Sequence, residues 1–337
     1  MVSWHLLTHP SFPRLLAFAV IQPFNFVAEG FVLLAGAAVG LKIAGKRSRP
    51  STLFRRAGAM LAAHYALVVF VLVLSAGERV MGWTVQMTAT PQSIWDVATL
   101  SYQPYLADVL SVFVFLFAAA ALFQLVYQRF GAIGLGTTSA AIFFTASTFP
   151  LNTGGAFDFN SWQVFFVAGM LFGANYESLI AGLRNASNRS IVICVLLFAG
   201  ACFVRALIGP DGAQLAGWRG YLTFSRKPLT VARVVYIGLE MMVIALLTVK
   251  WWDAISKSFI VRQIVALGRY SLPVFMCSVV LDYLLKAACT ELGLSFPINL
   301  VVWLVELVLL FVLADLLDGR TAARRQPSVA ASELVAS

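Results

Sequence analysis

The feature that most constrains this chain is a series of apolar runs, each long enough to cross a bilayer. Nine fall at about 16–43, 57–76, 106–127, 132–149, 162–183, 190–209, 231–249, 267–286 and 298–317. A spanning helix needs roughly 20 apolar residues, and in lipid every backbone polar group must be satisfied within the fold. The opening Met-Val-Ser-Trp-His-Leu-Leu reads as the last turns of one more helix, so the expectation is an all-α, polytopic membrane bundle of about ten helices. Composition agrees: 60% of the 337 residues are hydrophobic and only 12% are charged, about half the charge of a soluble domain.

The net charge of +9 does not point to nucleic acid, because no basic face interleaved with aromatics is present. Instead the cations gather between apolar runs. The 42–56 connection has Lys42, Lys46, Arg47, Arg49, Arg55 and Arg56; the 250–269 connection has Lys250, Lys257, Arg262 and Arg269; the tail has Arg320, Arg324 and Arg325. If every run spans, all three lie on one side, which the positive-inside rule makes cytoplasmic. One loop, 210–230, breaks the rule with Arg219, Arg226 and Lys227 on the opposite side. Residues 1–320 are expected to form the membrane domain and 321–337 a disordered cytoplasmic tail.

No cleavable signal sequence is recognisable before Pro10. Cys194, Cys202, Cys277 and Cys289 sit in or beside apolar runs with no C-x-x-C pair, so neither metal nor disulfide is expected. The first run is interrupted by Gln22, Pro23 and Asn25, which predicts a kink or a surface piece before the true span near Asn25.

Chemistry is carried by the few polar groups inside apolar runs. Glu29 is the foremost, since an acid at membrane depth is a functional-site hypothesis by default. Gly36 and Gly40 behind it form a small-xxx-small pair that admits a close helix neighbour. His64 lies about 12 Å of helix rise beyond Arg56, where it either bonds a neighbouring helix or moves a proton. Gln103 and Asp108 begin one run, and Asn160, Trp162 and Gln163 begin another, at matching depth on the outward side. Asp108 and Asn160 serve equally well as helix caps. Arg269, with Tyr270 and Ser271, reads most simply as a positive-inside anchor. Glu240 and Glu306 are possible partners for Arg205 or Arg233, and the sequence does not choose among them.

These residues carry a family resemblance. Ala28 to Gly36 resembles the Ala-Glu-x-Phe-Val-x-Leu-Ser-Gly signature of the OpgC family, with Ala35 in place of the usual Ser. Arg55 to His64 is similar to its Arg-rich entry into a His-bearing helix. Gln103-Pro104 and Asp108-Val109-Leu110 resemble its Gln-Pro and Asp-Ile-Leu-Pro elements, with Ser111 in place of Pro. Phe159 to Gln163 resembles a shortened Phe-Asn-Pro-x-x-Trp-Gln element, and Leu267 to Phe275 its Leu-Gly-Arg-x-Ser-Leu-x-Val-Phe element. Members usually begin with a helix carrying Asp-x-x-Arg-Gly before a His. His5 matches that His while the preceding elements are missing, which predicts either a start upstream of Met1 or a degenerate paralogue.

The resemblance implies an inner-membrane O-acyltransferase that moves a short acyl group, succinyl favoured, from an acyl-CoA co-substrate to hydroxyls of a periplasmic glucan. On that reading His5 is the base and Glu29 its orienting partner. Arg55, Arg56 and His64 line the path of the anionic donor, and Gln103, Asp108, Asn160, Trp162 and Gln163 line the acceptor side. The alternatives are a non-catalytic paralogue and a proton-coupled transporter or flippase.

Overall fold

The computed structural model describes residues 27–76, 91–100, 108–146, 158–208, 229–291, 301–302 and 304–319. Among them the regular structure is helical and no β-strand occurs, as expected for an all-α membrane bundle. Among the described residues four helices are long and apolar enough to cross a membrane, or up to six if each of two bent pairs counts as one span. The chain divides into two compact units, Leu15–Ala76 with Trp83–Lys250, and Trp251–Ser337 with Met1–Arg14 and Gly77–Gly82. The expected tail and residues 210–228 of the 210–230 loop lie outside the described residues.

The first unit contains α1 (Val27–Ala44), α2 (Pro50–Ala76), α3 (Pro91–Ala98), α4 (Asp108–Thr145), α5 (Phe159–Ala174), α6 (Tyr176–Arg184), α7 (Asn188–Ile208) and α8 (Val231–Lys250). The expected spans 106–127 and 132–149 are the two halves of α4, which breaks at Gly131 (φ 68°, ψ −163°). Only glycine adopts that backbone without strain. The expected span 162–183 is bent, with α5 and α6 meeting at 81°, the geometry of a broken span or a re-entrant loop. Asn175 stops α5 because its backbone N–H and its Nδ2 both donate to the Leu171 carbonyl, at 3.2 and 2.8 Å.

The core of this unit is a parallel pair, α1 against α5. The close approach predicted for Gly36 and Gly40 is present and reciprocal. A Cβ on Gly36 would overlap the Phe166 carbonyl oxygen and one on Gly40 that of Met170. Gly169 and Gly173 meet the carbonyls of Leu33 and Ala37 in the same way. Two facing GxxxG elements therefore bring the backbones together, which is how helices pack tightly where lipid supplies no hydrophobic drive.

The parallel pairing puts the ends of α1 and α5 on one side of this unit. Ser48 Oγ donates to Gln124 Oε1 at 2.7 Å, bringing the end of the first half of α4 to the same side. Lys250 Nζ reaches the Ala186 carbonyl at 3.4 Å, adding the end of α8. Lys42, Lys46, Arg47, Arg49, Arg129, Arg184, Arg189 and Lys250 consequently share one end, the arrangement expected of a cytoplasmic face.

In the second unit, the connection expected at 250–269 is helical: α9 (Trp252–Ile255) and α10 (Phe259–Arg269) precede α11 (Ser271–Glu291), and α12 covers 304–319. The expected span 267–286 corresponds to α11, which starts four residues later. Tyr270 closes α10, and α11 leaves it at 94°.

Candidate functional site

Glu29 sits in the first turn of α1 and is fully buried. Its partner is Arg233, in the first turn of α8, 3% exposed. Arg233 Nε and Nη2 both donate to Glu29 Oε1, at 2.9 and 2.5 Å. Two charge-assisted bonds on a buried carboxylate make a strong local interaction. The N-terminal end of α1 also favours the acid. The sequence left Arg233 to Glu240 or Glu306; in the structure it bonds the signature acid itself.

Seven residues further along α8, Glu240 is 1% exposed, and neither carboxylate oxygen has a hydrogen-bond partner among the described residues. Arg205, Glu29 and Arg233 are the charges that act on it. The Arg205 guanidinium lies over the Tyr236 ring, 4.9 Å from its centroid, and Tyr236 Oη is 3.5 Å from Cys202 Sγ. A belt of buried ionisable groups thus crosses α1, α7 and α8.

Counted from the basic end, the polar groups share a depth. Glu29 is fifteen residues before Ala44, His64 fourteen after Pro50, Asn160 fourteen before Ala174 and Arg233 seventeen before Lys250. At 1.5 Å per residue these are about 22, 21, 21 and 25 Å. All four therefore belong to the outer half of an apolar slab about 30 Å thick.

The donor candidates lie along α2. Arg55 is exposed, while the half-buried Arg56 guanidinium lies 5.8 Å from the Phe117 ring centroid. His64 is fully buried, its ring 5.6 Å from that of Tyr65. The arginines stand nearer the basic end, and the histidine is about two turns further along, at the depth of Glu29.

Of the acceptor candidates, Gln103 lies outside the described residues, as does the proposed base His5. Asp108 begins α4 and accepts from the Val109 N–H at 3.0 Å. Asn160 does not cap α5. Asp158 does, accepting from the Asn160 N–H at 3.3 Å and from Ser161 Oγ at 2.6 Å. Asn160, Trp162 and Gln163 are brought together, yet they are 5%, 1% and 0% exposed, so they sit in the wall of the bundle and not on an open face. Gln163 is fully engaged there. Its Nε2 donates to the Ser139 carbonyl at 2.8 Å and its Oε1 accepts from Ser139 Oγ at 2.8 Å, tying α5 to the second half of α4.

Sequence reasoning did not pair Arg233 with Glu29, nor did it notice Asp158, although an Asp directly before an apolar run is a cap signal. It also read Arg269 as a simple anchor. In the second unit Arg269 Nη1 donates to Asp318 Oδ1 at 2.5 Å, and Tyr270 Oη donates to the same oxygen at 3.1 Å. The Arg269-Tyr270 element therefore ties the bend between α10 and α11 to α12. Among the described residues no group of three or more His, Cys, Asp and Glu could hold a metal ion.

No curated protein and no solved structure matches the chain. The family model for OpgC protein matches residues 12–321, which takes in every element described above. The chain thus belongs to the OpgC family of multi-pass membrane proteins, and its membership points to an acyltransferase-like role in glucan modification.

Proposed function

We propose that this protein is an inner-membrane O-acyltransferase with a cytoplasmic C-terminus. It moves a short acyl group, succinyl favoured, from an acyl-CoA donor to hydroxyls of a periplasmic glucan. The observation that carries the reading is a family match over residues 12–321 whose signature acid, Glu29, is fully buried and held by Arg233. A desolvated, charge-compensated carboxylate at membrane depth is the kind of group a proton-transfer site uses.

Thioester acyl transfer needs a base for the sugar hydroxyl and positive or N–H groups for the oxyanion that develops on the thioester carbonyl. In this reading His5 removes the hydroxyl proton, Glu29 orients its imidazole, and the leaving thiolate is reprotonated as the donor departs. Arg233 holds Glu29 in place through the bonds from its Nε and Nη2. The donor phosphates meet Arg55 and Arg56 first, where guanidinium groups suit phosphate by paired bonding, and His64 lies further along that route. The acceptor approaches past Gln103 and Asp108. Asn160, Trp162 and Gln163 then form the wall behind it, with Gln163 fixing that wall through Ser139.

The test is a glucan-acylation assay in cells carrying His5→Ala in a full-length form. Loss of acyl groups from the glucan at unchanged protein level is expected. Unchanged acylation removes His5 from the mechanism. Uptake of a solute by vesicles without any acylation would favour transport instead.

A further inference from the structure

α10 has 11 residues, too few to cross a membrane by itself. It begins at Ser258, whose Oγ accepts from the Val261 N–H at 3.2 Å, and it stops at Tyr270, where α11 departs at 94°. α11 has 21 residues, about 31 Å of rise, enough to cross the apolar core. A helix at a right angle to a crossing helix lies in the plane of the membrane.

Its side chains sort into three faces. Gln263 and Ala266 are buried, and Gln263 Nε2 donates to both carboxylate oxygens of Asp315 on α12, at 3.2 and 3.1 Å. Ile260 and Ile264 lie further round the helix and are 66% and 56% exposed; Phe259 is 64% exposed. Arg262 stands about 160° from Ile260 and shares a stripe with Arg269, seven residues on. Asp318 neutralises Arg269, whereas Arg262 and Lys257 are exposed. Just before the helix, Trp251 and Trp252 are 53% and 41% exposed. An apolar face opposite a basic one, with a tryptophan pair at its entrance, has the composition of a helix that rests at the headgroup level.

We propose that Trp251–Arg269 is an in-plane anchor that seats Ile260 and Ile264 among the acyl chains and binds anionic phospholipid headgroups through Lys257 and Arg262. Phospholipid and not protein is the partner because the apolar and basic faces are disposed about an axis in the membrane plane. One face therefore points into the bilayer as the other meets the phosphates. A basic side chain near an anionic surface favours binding by up to about fivefold.

The test uses the full chain in nanodiscs of phosphatidylcholine with and without phosphatidylglycerol. Environment-sensitive labels are placed at Ile260→Cys, Ile264→Cys and Arg262→Cys after replacement of the four native cysteines. Labels at 260 and 264 should be quenched by brominated acyl chains and shielded from iodide, with the reverse at 262. Equal iodide quenching at all three sites would overturn the in-plane seat. Separately, Lys257→Gln with Arg262→Gln should lower the preference for spin-labelled phosphatidylglycerol over phosphatidylcholine, by up to about fivefold per charge. An unchanged preference would overturn the headgroup assignment.

Discussion

Arg233→Met leaves the Glu29 carboxylate fully buried after removing two charge-assisted bonds, at 2.9 and 2.5 Å, from one of its oxygens. Breaking a buried pair by taking away one partner costs roughly 3–5 kcal/mol, a large part of the 5–15 kcal/mol that holds an ordinary domain folded. Glu29→Leu should be comparably harmful, since it takes the same two bonds from a guanidinium that is 3% exposed. The double variant Glu29→Leu with Arg233→Met leaves neither member of this pair to face the other's absence, and apolar replacement of a buried pair is often close to neutral. The expected pattern is two severe single variants and a double variant milder than either, with a coupling of about 2–3 kcal/mol. Reversible unfolding of the purified protein in detergent, followed by tryptophan fluorescence, reads it. Single variants within about 0.5 kcal/mol of the parent, or strictly additive effects, would refute the claim that these two residues sustain each other.

Three further outcomes follow from the same geometry. Gly169→Leu should lower the unfolding temperature sharply, because its Cβ would overlap the Leu33 carbonyl, whereas Gly182→Ala meets nothing within 4 Å and should be neutral or stabilising by up to about 1 kcal/mol; a thermal-shift comparison separates them. Gly131→Ala has open space around it but must hold φ at 68°, so it should cost about 1–2 kcal/mol, measurable by denaturant unfolding. Glu240→Gln removes a carboxylate with no hydrogen bond among the described residues, so its unfolding free energy should stay within about 1 kcal/mol of the parent, in contrast to Glu29→Leu.

Much of the architecture was legible because lipid imposes a simple rule: apolar runs of spanning length become helices, and Gly36 with Gly40 advertises a close neighbour. The bends were not legible. Asn175 and Tyr270 fall inside runs that are apolar overall despite neighbours such as Glu177 and Arg269, and the stop at Asn175 is made by bonds to Leu171 that composition does not reveal. Glu29 stood out as a lone acid, but its partner lies 204 residues away, with two buried arginines and two other acids competing for the pairing. Trp162 and Gln163 illustrate the opposite difficulty. Their depth could be counted along the chain, while the direction they face depends on Ser139 across the kink at Gly131, which no local pattern encodes.

The most direct test of the account is transfer of radiolabelled succinyl groups from succinyl-CoA to a glucan acceptor by membranes containing the full-length chain. The account predicts base-labile label in the glucan, dependent on the chain and lost in Glu29→Gln at matched protein level. Labelling no higher than in membranes lacking the chain, or labelling unaffected by Glu29→Gln, would contradict it.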